Sequence, residues 1–257
     1  MARVTGESAK PDVWIGTGWK MNKSLVEAHA FADSVLSDAG TIHPRIQRFV
    51  LPPFTLLREM CNWLTRSDVK VGAQNMHWQD EGPWTGEISA PMLADCGVGL
   101  VELGHSERRT HFGETDHTIG LKVSTALRHG LTPLICVGET ASQVDRADDV
   151  LEHQVKSALA EAPKRSAVVI AYEPVWAIGD QGTAAEPEYA TVRQARIKSV
   201  AENLLETSTP CLYGGSVSVD NCAEFIRQPS IDGLFIGRAA WQASGYLEIL
   251  RGCGAEL

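Results

Sequence analysis

No stretch of the chain approaches the roughly 18 consecutive apolar residues that a membrane-crossing helix needs. The six cysteines, Cys61, Cys96, Cys136, Cys211, Cys222 and Cys253, form no C-x-x-C pair. Reduced thiols are therefore the expectation, and no metal is expected. Neither G-x-x-x-x-G-K-[S/T] nor G-x-G-x-x-G occurs, which excludes the usual cradles for a nucleoside triphosphate or a dinucleotide. No cofactor is expected. Positive charge is in deficit: 23 Lys plus Arg against 32 Asp plus Glu leave a net charge of -9. Such a surface repels polyanions, which argues against nucleic acid or an anionic membrane as partner, so any anionic ligand must be held by local groups. No Pro/Gly/Ser-rich hinge or low-complexity tract divides the chain.

What remains is a chain of 257 residues, 44% hydrophobic and 21% charged, enough to bury one substantial core. About 250 residues is the usual length of a closed α/β barrel. Residues 1–12 mix Arg3, Glu7, Lys10 and Pro11 with small polar residues and lack the apolar run of a signal peptide. They are expected to form a flexible tail on a single catalytic domain, residues 13–257, of a cytoplasmic protein.

Eight runs rich in branched or apolar residues recur at 13–19, 46–51, 69–73, 98–103, 131–137, 168–172, 210–213 and 232–236, and each predicts a strand. Between them, residues 24–39, 116–129, 145–162 and 187–205 place apolar residues three or four apart opposite charged ones, the pattern of amphipathic helices. Alternating strand and helix implies parallel strands with right-handed crossovers. Eight strands in this length favour an α/β fold of the (β/α)8 barrel type, a TIM barrel. Residues 74–87 form a long polar and aromatic loop after the third strand, a candidate partner contact.

In such barrels the chemistry sits where strands run out into the following loops. Glu173 follows the run Val168 to Tyr172, where a dry setting would raise a carboxylate toward the working range of a general base. The stretch Pro174, Val175, Trp176, Ala177, Ile178, Gly179 reads as a hinged lid. His105 opens a short helix after the fourth strand; a helix N-terminus disfavours imidazolium and leaves a neutral donor able to polarise a carbonyl. Lys20, after the first strand, supplies a positive charge for a phosphate or an oxyanion. Gly214, Gly215 and Gly237, with Gly179 in the lid, let backbone N–H groups approach a phosphate, and Ser216 adds a hydroxyl. Cys136 reads as a packed core thiol.

Four segments in order, Trp19 to Asn22, Glu102 to Arg109, Ala171 to Gly179 and Tyr213 to Ser216, closely resemble the motifs of triosephosphate isomerases. The resemblance implies Glu173 as base, His105 as neutral electrophile, Lys20 as electrostatic partner and Glu107 as an acid linked to that lysine. It also implies a homodimer in which a loop containing Gln74, Thr85, Gly86 and Glu87 meets a neighbouring subunit. The chain departs from the family at Gly18, where Asn is usual, at Asp180-Gln181-Gly182 in the lid, and at Arg238, where a second glycine is usual. Residues 15–23, 71–78 and 234–238 are more similar to a branch of the family, the L-erythrulose-1-phosphate isomerases. That branch implies a small phosphorylated ketose with one more carbon, for which the missing side chain at Gly18 leaves room. A triosephosphate isomerase, and a barrel that binds sugar phosphate without turning it over, are the alternatives.

Overall fold

A computed structural model describes residues 12–179 and 182–257. Eight parallel strands close into a barrel in chain order: β1 (Val13–Gly18), β2 (Ile46–Leu51), β3 (Lys70–Ala73), β4 (Leu100–Leu103), β5 (Thr132–Val137), β6 (Val169–Tyr172), β7 (Cys211–Tyr213) and β8 (Gly233–Ile236). The seam between first and last strands is made by Trp14 to Thr17 beside Gly233 to Ile236. Each expected strand is present; β2 has the expected bounds and the other seven are trimmed by one or two residues at one end. Around the barrel run α1 (Leu25–Ser37), α2 (Leu57–Leu64), α3 (Ala90–Asp95), α4 (Ser106–His111), α5 (Asp116–Arg128), α6 (Ala147–Leu159), α7 (Pro187–Leu205), α8 (Cys222–Ile226) and α9 (Ala243–Gly254). No helix among the described residues is long and apolar enough to cross a membrane.

Local chemistry starts the helices where it does. Ser24 and Glu27 form a reciprocal capping box at the start of α1, and Thr115 and Thr118 do the same for α5, satisfying amides that would otherwise lack partners. Pro187 opens α7, where its missing N–H costs nothing.

Side chains alternate across each strand, so one set fills the barrel and the other packs under the helices. The inner set includes Phe49, Leu51, Leu100, Leu134, Val169, Ala171 and Leu212. The outer set, with Ile15, Val50, Val101, Ile135, Ile170 and Ile236, meets the helical layer. Bulk in the inner set is offset by glycine on β1 and β3: a Cβ at Gly16 would lie 2.3 Å from the Phe49 ring, and one at Gly72 would lie 2.4 Å from Leu51 and 2.6 Å from Leu100.

Asp12, assigned above to the tail, is held instead: its carboxylate accepts from Arg45 at 2.7 and 2.9 Å, and its N–H donates to Arg45 O at 3.1 Å. The rest of the expected tail, and Asp180 and Gln181 of the lid, lie outside the described residues. The loop 74–87 runs as turns and bends, with a cluster of His77, Trp78 and Trp84 rings 4.1 to 6.1 Å apart.

Gly72→Ala is expected to overpack the barrel interior and lower unfolding stability by about 1–3 kcal/mol, measured by urea denaturation.

Candidate active site

The inner-facing parity that fills the barrel also delivers its functional groups. On β6, Val169 and Ala171 point inward, so Glu173, two residues further on, projects into the barrel mouth. Gly18 follows Gly16 on β1 and Gln74 follows Gly72 on β3 by the same rule. His105 does not share the parity of Leu100 on β4; the chain is turned by Gly104, whose φ of +80° favours glycine. His105 then becomes the N-cap of α4.

These groups meet in one cavity of about 850 Å³ at the C-terminal end of the barrel. His105 Nδ1 accepts from the Glu107 N–H at 3.2 Å, which places the proton of a neutral ring on Nε2. Nε2 lies 3.7 Å from Glu173 Oε2. That oxygen is buried and has no hydrogen-bond partner among the described residues. Glu173 is only 5% exposed. Burial pushes its carboxyl above the ordinary value, and the charges of His105 and Lys20, with the Cys136 thiol, only partly pull it back. A carboxylate poised in this way is suited to taking a proton from carbon, and the facing N–H is suited to an oxyanion.

Lys20 occupies the left-handed region with φ +52°, a strained conformation for a side chain of its size. Gln74 holds it there, its amide donating to Lys20 O and Leu51 O at 2.9 Å each. The ammonium donates to Glu107 Oε1 at 2.6 Å. Burial pushes Glu107 up, but the Lys20 hydrogen bond and the charges of His105 and Lys20 outweigh it and hold the carboxyl below its usual range.

Of the residues assigned to phosphate or substrate, Gly18, Gly179, Gly214, Ser216, Gly237 and Arg238 line the cavity, and Gly215 does not. A Cβ at Gly215 would sit 2.7 Å from Tyr213 Oη and 3.0 Å from Ala177 Cβ, so this glycine serves close packing under the lid. Ser216 Oγ donates to Ala177 O at 2.6 Å, tying the β7 loop to the lid. The room expected at Gly18 is narrower than its lack of a side chain implies: a Cβ there would lie 3.1 Å from the Phe235 ring. Of the lid's described residues, Ile178, Gly179 and Gly182 reach the cavity. Thr85, Gly86 and Glu87 stand exposed away from it, whereas Gln74 is engaged within its own chain.

Three features escaped the sequence reading. The first is the lid's anchorage. Buried Glu139 accepts from Trp176 Nε1 at 2.9 Å, from Tyr172 Oη at 3.1 and 3.2 Å and from Tyr189 Oη at 3.1 Å. Tyr213 Oη accepts from the Ala185 N–H at 2.9 Å beyond the lid. The second is Phe235, whose inward parity on β8 brings it over Gly18. The third is Glu102, quoted within a motif but given no role. It is an acid among Leu100, Val101 and Leu103, with the inward parity of Leu100, and that placement was the signal to find it. It lines the cavity, and burial, with the neighbouring Glu173 charge adding to it, pushes its carboxyl up to about 7. The Cys136 thiol, itself pushed up by burial, donates to Glu102 Oε1 at 3.7 Å. Donor atoms of Glu102, Cys136 and Glu173 lie within 4.8 Å of one another. Burial keeps the proton on the thiol and delays ionisation of the Glu102 carboxyl to about 7, so the group is a poorer set of cation ligands than exposed carboxylates would be.

A (β/α)8 barrel whose mouth sets a buried carboxyl against an imidazole and an ammonium is built like an enzyme that moves protons next to a carbonyl. The triosephosphate isomerase family model matches residues 13–253, and the chain belongs to that family. It is 57% identical over 256 residues to the L-erythrulose-1-phosphate isomerase of Rhizobium rhizogenes, covering 97% of this chain and 98% of that protein. The protein of the same name from Brucella melitensis is 57% identical over 250 residues, covering 95% of this chain and 97% of its own. That from Mesorhizobium japonicum is 56% identical over 250 residues, 95% and 98% covered.

The Glu102 carboxyl ionises near 4.5 when unburied and near 7 in the barrel. Its contribution to stability is therefore whole below pH 4.5 and is lost as pH rises from 4.5 to 7, since only the unfolded chain releases the proton. Glu102→Gln is expected to exceed the parent in stability at pH 8, by up to about 3 kcal/mol at roughly 1.4 kcal/mol per unit. The excess should shrink away near pH 4, as urea unfolding at the two pH values will show.

Proposed function

We propose that the protein is a ketose-phosphate isomerase that interconverts L-erythrulose 1-phosphate and D-erythrulose 4-phosphate through an ene-diol. The observation that carries this reading is the convergence of Glu173, His105 and Lys20 on one cavity in a chain 55–57% identical to proteins bearing the erythrulose name.

Glu173 removes the proton from C3, and the C–H electrons form the C2–C3 double bond while the carbonyl electrons move onto O2. His105 Nε2–H donates to O2 as its negative charge develops, and Lys20 stabilises that charge. Return of a proton to C2 and passage of the O3 proton to O2 complete the shift, so the reaction is an intramolecular oxidation and reduction without an external cofactor. Phosphate is held by the loops bearing Gly179, Ser216, Gly237 and Arg238. Closure of residues 174–178 excludes water from the ene-diol. A triosephosphate isomerase is the second reading, favoured by the Phe235 ring at Gly18, which fills part of the room a fourth carbon would use.

The exposed loop bearing Thr85, Gly86 and Glu87, beside a Trp84 that is 44% exposed and a Met21 that is 95% exposed at the cavity mouth, supports a homodimer. The same reading makes the enzyme cytoplasmic.

Purified protein should turn over L-erythrulose 1-phosphate far faster than dihydroxyacetone phosphate; the reverse order would establish the triose reading. Glu173→Gln should lower kcat by about 10²- to 10⁴-fold on the preferred substrate, and full activity in that variant would remove Glu173 as the base. Sedimentation at micromolar concentration should give a species twice the chain mass, and a monomer would end the dimer proposal.

A further inference from the structure

We propose that Glu102 recognises the terminal hydroxyl of the four-carbon substrate: its carboxyl, set in the cavity floor on β4, makes a hydrogen bond for which a three-carbon ketose phosphate has no group. This inference rests on the four-carbon reading above.

The argument is one of position. The phosphate-holding loops follow β6, β7 and β8, and in the closed order of strands β4 stands across the barrel from β8. In L-erythrulose 1-phosphate the phosphate is on C1 and the extra hydroxymethyl group is C4, the opposite end of the molecule. With phosphate at the β8 side and the C2–C3 pair between Glu173 and His105, C4 extends toward the wall that carries Glu102.

The state of the side chain agrees with that placement. Glu102 is 5% exposed and lines the cavity, yet its one hydrogen bond among the described residues is the weak, 3.7 Å contact from the Cys136 thiol. A buried carboxyl with so little satisfaction from its own chain is costly, and every other inward residue named on β4 to β7 below the mouth is apolar or a thiol. Its neighbour Glu173 must be ionised to act as base, and two carboxyls this close do not both ionise readily, so Glu102 is the one that keeps its proton. A protonated carboxyl can donate to the substrate hydroxyl and accept from it. Gly18 contributes less to the distinction than its missing side chain suggests, because Phe235 already leans over it. Discrimination by a hydroxyl also reaches further than discrimination by volume: a site built to bond a substrate hydroxyl is left with an unsatisfied group when the shorter substrate binds.

The test compares two variants on two substrates. Glu102→Leu keeps the volume and removes the hydrogen bond; Glu102→Gln keeps the bond and removes the titration. We expect Glu102→Leu to lower kcat/KM for L-erythrulose 1-phosphate about 10- to 100-fold more than it lowers kcat/KM for dihydroxyacetone phosphate, and Glu102→Gln to retain most four-carbon activity. A parallel loss on both substrates, or an unchanged substrate ratio in Glu102→Leu, overturns the inference and leaves the four-carbon reading standing. A parent enzyme that prefers the triose phosphate overturns that reading, and the inference with it.

Discussion

The site depends on keeping a carboxylate out of water. Glu173 emerges from β6 into a barrel whose lower layers are filled by Phe49, Leu51, Leu100, Leu134, Val169 and Leu212, so its charge has no solvent below it. Its Oε2 finds no hydrogen bond within the described chain. In water such a group is a weak base; here desolvation raises it, and the charges of His105 and Lys20 limit the rise. The same dryness gives the 3.7 Å approach of the imidazole its electrostatic weight. The loops at the mouth hold His105 in that dry place and bring the partly exposed Lys20 to its edge.

That holding is done by groups outside the chemistry. Gln74 fixes the strained backbone of Lys20, and Gly104 turns the chain so that His105 caps α4 with its Nδ1, leaving Nε2 toward the cavity. The lid is anchored at one end by Glu139, which gathers Trp176, Tyr172 and Tyr189 on one buried carboxylate, and at the other by Tyr213 under Ala185. Ser216 joins the lid to the loop after β7. Hydrogen bonds therefore hold the segment after β6 on both sides and join it to the loop after β7.

Much of this was legible in order of sequence. The eight strands appear where branched and apolar runs predict them, because strand periodicity and the turns that interrupt it are local properties. Glu173, His105 and Lys20 stand at strand ends, and the barrel rule alone sends such residues to a common mouth. What the linear pattern does not carry is distance between elements. Glu139 lies in the loop after β5 and reads as a surface acid until α7 and the lid are seen to converge on it. The space at Gly18 is decided by Phe235, more than two hundred residues away. Gly215, read as a phosphate glycine, does not line the cavity, and Tyr213 Oη lies 2.7 Å from where its Cβ would be.

The sequence alone determined the barrel and the standing of Glu173, His105 and Lys20 at its strand ends, since each follows from local pattern and from position relative to a strand. Only the tertiary structure decided their surroundings and their room: that Glu102 is buried beside Glu173, that Gln74 holds the backbone of Lys20, and that Phe235 crosses Gly18. The reason is physical. Desolvation, pairing of charges and steric fit depend on what lies within a few ångströms, and closing a barrel brings together residues that the chain order keeps far apart.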